Sequence, residues 1–323
     1  DGATEADLLA IYRPRPGLPF TVSGVAGRTR LLWTTFTANQ IDIDVDHPAT
    51  IEYFDTILDR FQTSGVNLVR LDAVGYAIKA AGTSSFMIPE TFAFIDRLAA
   101  ECAGRGIEML VEIHGYHRTQ MEISERVDWV YDFALPPLVL DAIFTADADV
   151  LRHWLDIRPS NAVTVLDTHD GIGVIDVGRD QSDPRRPGLL DPDRLDALVE
   201  EIHRRSGGSS QRATGAAANN LDLYQVNCTF ADAIADDDRY LLARLIQVFV
   251  PGVPQIYYVG ALAGGNDVEL LERTEVGRDI NRHHYTRDEI EAAVERPVVR
   301  RLLALLRWRR AASELFDGVF VPT

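Results

Sequence analysis

Gly65-Val66-Asn67-Leu68-Val69-Arg70-Leu71-Asp72-Ala73-Val74-Gly75-Tyr76 is a nearly continuous apolar run, opened by the breaker pair Ser64 and Gly65. Such a run is the pattern of a strand buried on both faces in a parallel sheet. A guanidinium, Arg70, and a carboxylate, Asp72, stand where that strand should end. Charges are rarely buried without partners, so their place there needs a cause. One cause is a structural ion pair capping the sheet. The other is chemistry, because the active site of a (β/α) barrel forms at the C-terminal ends of its strands. The stretch by itself leaves both open.

Outward from this stretch the period alternates. Residues 48–62 place Ile51, Phe54, Leu58 and Phe61 on one helical face, with Gly65 beyond as a stop. Pro89 opens a second helix with Phe92, Ile95, Leu98, Ala99 and Cys102 on its apolar face, closed by Gly104 and Gly106. A second buried strand is predicted over 107–113, ending in Glu112. A third is predicted over 127–135, followed by Pro136 and Pro137 and a helix over 138–155. A fourth, 162–166, runs into Asp167, Thr168, His169 and Asp170. Strands alternating with helices at this spacing indicate βα units and a parallel sheet.

The flanks are less regular. Residues 1–28 are rich in Pro and Gly and read as a loop, in which Arg13 and Arg15 are set among prolines. That loop is either a grip for an anion or an exposed rigid turn. A strand is predicted over 29–36. Ile41, Ile43 and Val45 alternate with Asp42, Asp44 and Asp46, as in a short half-exposed strand. Residues 171–220 form a turn-rich excursion before a helix over 236–250 and a fifth strand over 253–259. A long loop, 260–285, follows. Thr286 with Glu289 forms a capping box, and Pro297 starts a last helix carrying Leu302, Leu305 and Leu306.

Thirty-two basic against 49 acidic residues give a net charge of −17, a field that repels phosphate backbones and acidic membrane surfaces. Nucleic acid and membrane are therefore not expected partners, and an anionic substrate would need a few local arginines. The two cysteines, Cys102 and Cys228, form no framework and read as free buried thiols of a reducing compartment, here the cytoplasm.

Asp72, Glu112 and Asp170 each fall at the end of a predicted strand. Glycoside cleavage needs two carboxylates flanking the scissile bond, one to attack the anomeric carbon and one to protonate the leaving oxygen. A third stabilises positive charge in an oxocarbenium-like transition state. Arg70, on the same side of its strand, would keep Asp72 charged as a nucleophile, whereas Glu112 has no adjacent arginine and suits proton transfer. His114, His117 and His169 near three acids raise a metal reading, but no Cys or His pair has a recognised ligand spacing. No nucleophile elbow is present, and Gly171-Ile172-Gly173 completes neither a dinucleotide nor a phosphate-loop fingerprint.

Arg70 with Asp72, Glu112 with His114, and His169 with Asp170, in that order, resemble the three catalytic motifs of the α-amylase superfamily, glycoside hydrolase family 13. Gln40-Ile41-Asp42-Ile43-Asp44 looks like the motif this family carries near the end of its inserted domain B. The intervals between the three acids resemble those of the sucrose phosphorylase branch. Longer strings at 12–20, 71–76, 162–176, 213–227 and 277–283 are similar to the same branch, so the ordered set covers nearly the whole chain.

The resemblance implies an α/β fold, a partial (β/α)8 TIM barrel holding about strands 4 to 8 with part of domain B. Its domains would be 1–46, the remainder of domain B; 47–170, the first part of the catalytic barrel; 171–235, an inserted region; 236–316, the last part of the barrel; and 317–323, the start of a C-terminal domain. The implied reaction is reversible, retaining transfer of the glucosyl unit of sucrose to inorganic phosphate, giving α-glucose 1-phosphate and fructose. Asp72 would be the nucleophile, Glu112 the acid and base, and Asp170 the transition-state stabiliser. Arg70 and His169 would hold the glucosyl unit, while Tyr76, Phe36 and His114 would shape its pocket. Arg15, Tyr224 and Arg278 match positions that handle phosphate. Leu221, Asp222 and Gln225 match the loop facing the fructosyl group. No cofactor or metal is implied, and a homodimer of the full-length protein is compatible with the pattern. The rivals are related phosphorylases for sucrose 6-phosphate, glucosylglycerol or glucosylglycerate, and, outside enzymes, an inactive sugar-binding chain.

Against the family pattern the first three barrel strands are missing, and the chain stops where a C-terminal domain would begin. An unclosed barrel exposes strand edges and core. This chain by itself is accordingly expected to be poorly stable and weak or inactive. Turnover of sucrose and phosphate by the isolated chain at the rate of an intact enzyme would overturn that expectation.

Overall fold

Prolines and short polar side chains set where the helices begin. In the computed structural model, which describes residues 4–13, 17–214 and 225–316, the chain divides into two units: Asp1–Ile113 with Glu122–Val130, and His114–Met121 with Tyr131–Thr323.

The first unit opens with α1 (Glu5–Ala10), held by a Thr4–Asp7 capping box. β1 (Phe20–Val25) and β2 (Arg28–Trp33) form an antiparallel hairpin, Phe20 opposite Trp33. Its two-residue turn, Ala26 and Gly27, has positive φ at both positions, the geometry that matches strand twist. α2 (Pro48–Thr63) and α3 (Pro89–Ala103) both start on proline, whose fixed φ suits a first turn and whose missing N–H is not needed there. β3 (Leu68–Leu71), β4 (Glu108–Val111) and the start of β5 (Trp129–Asp132) are parallel, with Leu68 opposite Glu108 and Leu110 opposite Trp129. α3 packs on β4, and Ile95, Cys102 and Met109 are wholly enclosed.

Three expectations fail in this unit. Residues 1–28 are not all loop, because the Thr4–Asp7 capping box starts α1 and β1 pairs along β2. β3 is not buried on both faces: Val69 is buried while Leu68 is exposed, because β3 pairs with β4 on one side and, among the described residues, with no strand on the other. Residues 41–45 form no strand. The Asp42 carboxylate instead accepts from the Thr35 N–H (3.0 Å) and Oγ1 (2.5 Å) and pairs with Lys79 (2.6 Å), and such local bonds compete with a ladder.

The second unit begins with α4 (His117–Ser124), whose last residues belong to the first, and continues through α5 (Leu135–Thr145) and α6 (Asp149–Ile157). The expected single helix over 138–155 is thus two, parted at Ala146 in the left-handed region (φ 58). Pro136 and Pro137 lie in the first turn of α5 rather than ahead of it. β6 (Ala162–Thr164) pairs in parallel with β9 (Val253–Pro254), while β7 (Ile172–Gly173) pairs antiparallel with β8 (Gln225–Val226). Between them run α7 (Pro192–Arg205), α8 (Ser209–Arg212), α9 (Phe230–Ile234) and α10 (Asp237–Phe249). α11 (Tyr258–Ala261) starts within the expected fifth strand, so only β9 remains of it. α12 (Val268–Thr274), α13 (Arg287–Glu295) and α14 (Pro297–Ala311) follow, α13 with the expected Thr286–Glu289 capping box. The core joins Leu135, Leu138, Trp154, Phe230, Ala243 and Leu302. Among the described residues no helix is long and apolar enough to cross a membrane.

Asp132, at the end of β5, is buried and accepts from Leu135 N (3.1 Å), Trp154 Nε1 (3.0 Å) and Arg158 Nε (2.6 Å). Removing one partner of a buried pair strands the other charge, at a cost of about 3–5 kcal/mol. Asp132→Ala should therefore lower unfolding free energy by about that amount in a denaturant titration; a loss below about 1 kcal/mol, the scale of an exposed pair, would show that the pair does not hold this unit.

Candidate active site

In the first unit, β3 delivers Arg70 and Asp72 to its C-terminal end. Arg70 Nη1 meets Asp72 Oδ1 at 2.6 Å, and the Asp72 side chain is 71% exposed, so its carboxylate is open to a ligand. The next residue, Ala73, lies in the left-handed region (φ 48), where a non-glycine is strained. Glu112, just past β4 and buried, accepts from the Ala73 N–H at 2.8 Å, and its own N–H donates to Leu71 O at 3.0 Å. The second strand-end acid thus pins the turn that follows the first. Tyr76 lies edge-on to Phe36 (centroids 5.3 Å apart) and packs against Phe86 (4.6 Å). A cavity of about 470 Å³ is bordered by Phe36, Arg70, Asp72 and Tyr76 together with apolar residues such as Phe54 and Phe61.

In the second unit, His114 stacks on Phe133 (3.8 Å), and its Nδ1 meets Asp176 Oδ2 at 2.8 Å. Asp176 is fully buried and also accepts from Gly115 N (2.9 Å) and Gln120 Nε2 (2.6 Å). Gly173 is required beside it, since a Cβ there would run into Asp176 and His114. Asp170 meets two guanidinium groups and an imidazole. Arg278 Nη1 is 2.7 Å from its Oδ1, with Arg282 Nη2 and His169 Nε2 each at 3.6 Å. Burial acts to raise the Asp170 carboxyl, but Arg278, with His169, His114 and Arg282, outweighs it and holds the group below its ordinary value. Gln225 is buried, and its Oε1 accepts from Gly171 N at 3.0 Å.

Arg70, Asp72, Glu112, Phe36 and Tyr76 therefore belong to the first unit, and His114, His169, Asp170, Gln225 and Arg278 to the second. Arg15, Leu221, Asp222 and Tyr224 lie outside the described residues. Sequence reasoning did not single out Asp176, Asn281 or Arg282. Asp176 closes the 162–176 string and was legible only as part of it, because its partner His114 is remote in sequence.

No family model matches the chain. It is 60% identical to a sucrose phosphorylase of Agrobacterium vitis over 321 residues, 99% of this chain and 65% of that protein. The crystal structure of sucrose 6F-phosphate phosphorylase from Thermoanaerobacter thermosaccharolyticum superposes with a TM-score of 0.86 at 37% identity, over 99% of this chain and 65% of that one. An α-amylase from H. orenii, at 11% identity and a TM-score of 0.58 over 96% of this chain and 59% of its own, is alike in fold alone. The parallel strands and these likenesses define an α/β fold of the α-amylase-type (β/α)8 class. The chain is thus similar to a sucrose phosphorylase over nearly its whole length, and it spans 65% of the length of that curated relative.

His117, three residues beyond His114, is buried, and its Nδ1 has no hydrogen-bond partner among the described residues. Burial, with Arg118 and His153, pushes the imidazole down to about 4 from 6.5. The folded state then holds it neutral while the unfolded chain takes up a proton, so stability declines as pH falls from about 6.5 toward about 4. Thermal midpoints between pH 7 and 4.5 should fall less steeply in His117→Gln than in the unaltered protein. Equal slopes would remove His117 as a cause.

Proposed function

We propose that the complete protein carrying this chain is a sucrose phosphorylase. Asp72 attacks the anomeric carbon of the glucosyl unit while Glu112 protonates the departing fructosyl oxygen, leaving a β-glucosyl ester. Phosphate then attacks the anomeric carbon of the glucosyl ester, Glu112 takes its proton, and the Asp72 carboxylate leaves, giving α-glucose 1-phosphate with net retention. Asp170 stabilises the oxocarbenium-like transition state of both steps. Arg70 and His169 hold the glucosyl unit; Phe36, Tyr76 and His114 shape its pocket; Leu221, Asp222 and Gln225 face the fructosyl group. Arg15, Tyr224 and Arg278 handle phosphate. The domain boundaries expected from the sequence, a cytoplasmic location and a homodimer belong to the same reading.

The observation that carries the reading is Arg278, 2.7 Å from Asp170 in the turn between β6 and β7. In a chain of net charge −17, long-range attraction does not bring an anion in. A guanidinium set at the acid supplies a local grip, as phosphate requires and as water in a hydrolase does not.

The test incubates the complete protein with sucrose, with and without phosphate, and quantifies glucose 1-phosphate and its anomeric configuration. Phosphate-dependent α-glucose 1-phosphate is expected. Asp72→Ala should reduce turnover to background with an unchanged far-ultraviolet circular dichroism spectrum, and Glu112→Gln should cost about 10²–10⁴-fold. Absence of product from sucrose, or product only from sucrose 6-phosphate, would overturn the assignment.

A further inference from the structure

The turn that presents Asp170 is held by its main chain. Asn281 Nδ2 donates to Thr168 O (3.2 Å) and to Asp170 O (2.8 Å), and Arg282 Nε donates to His169 O (2.8 Å). Three consecutive carbonyls of the acid-bearing turn are thus taken by two consecutive side chains. Asn281 is 3% exposed and ends the short 3-10 helix Gly277–Asn281, which also carries Arg278. That helix is itself anchored: Ile280 is fully buried with Leu271 and Ala213, and its carbonyl accepts from Asp267 N at 2.7 Å.

The two arginines on Asp170 are held differently. Arg278 reaches the carboxylate through Nη1 at 2.7 Å. Arg282 is tied to the backbone through Nε, and its Nη2 faces the same Oδ1 from 3.6 Å. A phosphate dianion that draws on Arg278 weakens its pairing with Asp170. Arg282 cannot follow the phosphate without giving up His169 O, a charge-assisted bond made beside a mostly buried carboxylate.

Building on the phosphorylase reading above, we infer that Asn281 and Arg282 are positioning residues: they fix Asp170 through the carbonyls of residues 168–170 and keep a cation on it while Arg278 turns to phosphate. The glucosyl transition state is common to transfer to phosphate and transfer to water, so both depend on Asp170 being held. A phosphate ligand would matter for the first alone.

The experiment uses the complete protein and measures two rates from sucrose: formation of glucose 1-phosphate over a phosphate series, and release of glucose without phosphate. Arg282→Gln and Asn281→Ala should each lower kcat of both reactions by a similar factor, up to about 10²-fold as expected for a misplaced catalytic group. Their KM for phosphate should stay within about twofold, since neither residue binds the acceptor in this scheme. Arg278→Gln, by contrast, should raise KM for phosphate by about tenfold or more, the loss of a charge-assisted contact. Arg282→Lys, which keeps the charge but not the forked contact, should recover part of the lost rate and stands in if Arg282→Gln does not fold. A selective rise in KM for phosphate in Arg282→Gln, with release to water retained, would make Arg282 a phosphate ligand and overturn the inference, as would unaltered rates in both variants. The unaltered protein decides the phosphorylase reading separately, through its own phosphate-dependent product.

Discussion

A carboxylate at the end of a strand in a packed unit must be compensated, because an unpaired buried charge costs several kcal/mol. Asp72 pairs with Arg70, Glu112 takes the Ala73 N–H, Asp132 takes Arg158, and Asp167 takes Arg244 at 2.5 Å. The compensation sorts these acids into two kinds. Asp132 and Asp167 meet arginines that are themselves enclosed, and neither arginine can leave without stranding the acid. Arg70 and Asp72 form an equally short pair in the open, bordering a cavity. An ion pair that closes a sheet and one that equips a site can have the same length; exposure tells them apart.

The same constraint explains the cost of building a site at strand ends. Asp170 is mostly buried yet faces two guanidinium groups and an imidazole that are each about a third to half exposed. Ala73 is kept in a strained conformation by the acid of the neighbouring strand. Asp176, enclosed behind His114, accepts three bonds so that one imidazole can be aimed. Each device spends stability on orientation, as expected where chemistry needs groups fixed before substrate arrives.

Much of this was legible in the sequence. Helix starts at Pro48, Pro89, Pro192, Thr286 and Pro297 follow from local chemistry, since a cap or a proline acts within one turn. The βα alternation and the chain positions of the three acids were equally readable. Two of the differences turn on neighbours that a short stretch does not show. The alternation at residues 41–45 is that of a strand, but Thr35 and Lys79 claim Asp42. The apolar run at 65–76 has the pattern of a strand covered on both faces, whereas burial depends on what lies beside β3.

What the sequence by itself determined is the kind of fold, several helix starts and the chain positions of the acids, because periodicity, caps and motif order are local properties of the chain. What only the tertiary structure decided is how those residues are held. Asn281 and Arg282 hang the Asp170 turn by its carbonyls, and Asp176 aims His114. The physical reason is that such bonds join segments dozens of residues apart. Their donors and acceptors are ordinary side chains until folding sets them 3 Å from one another.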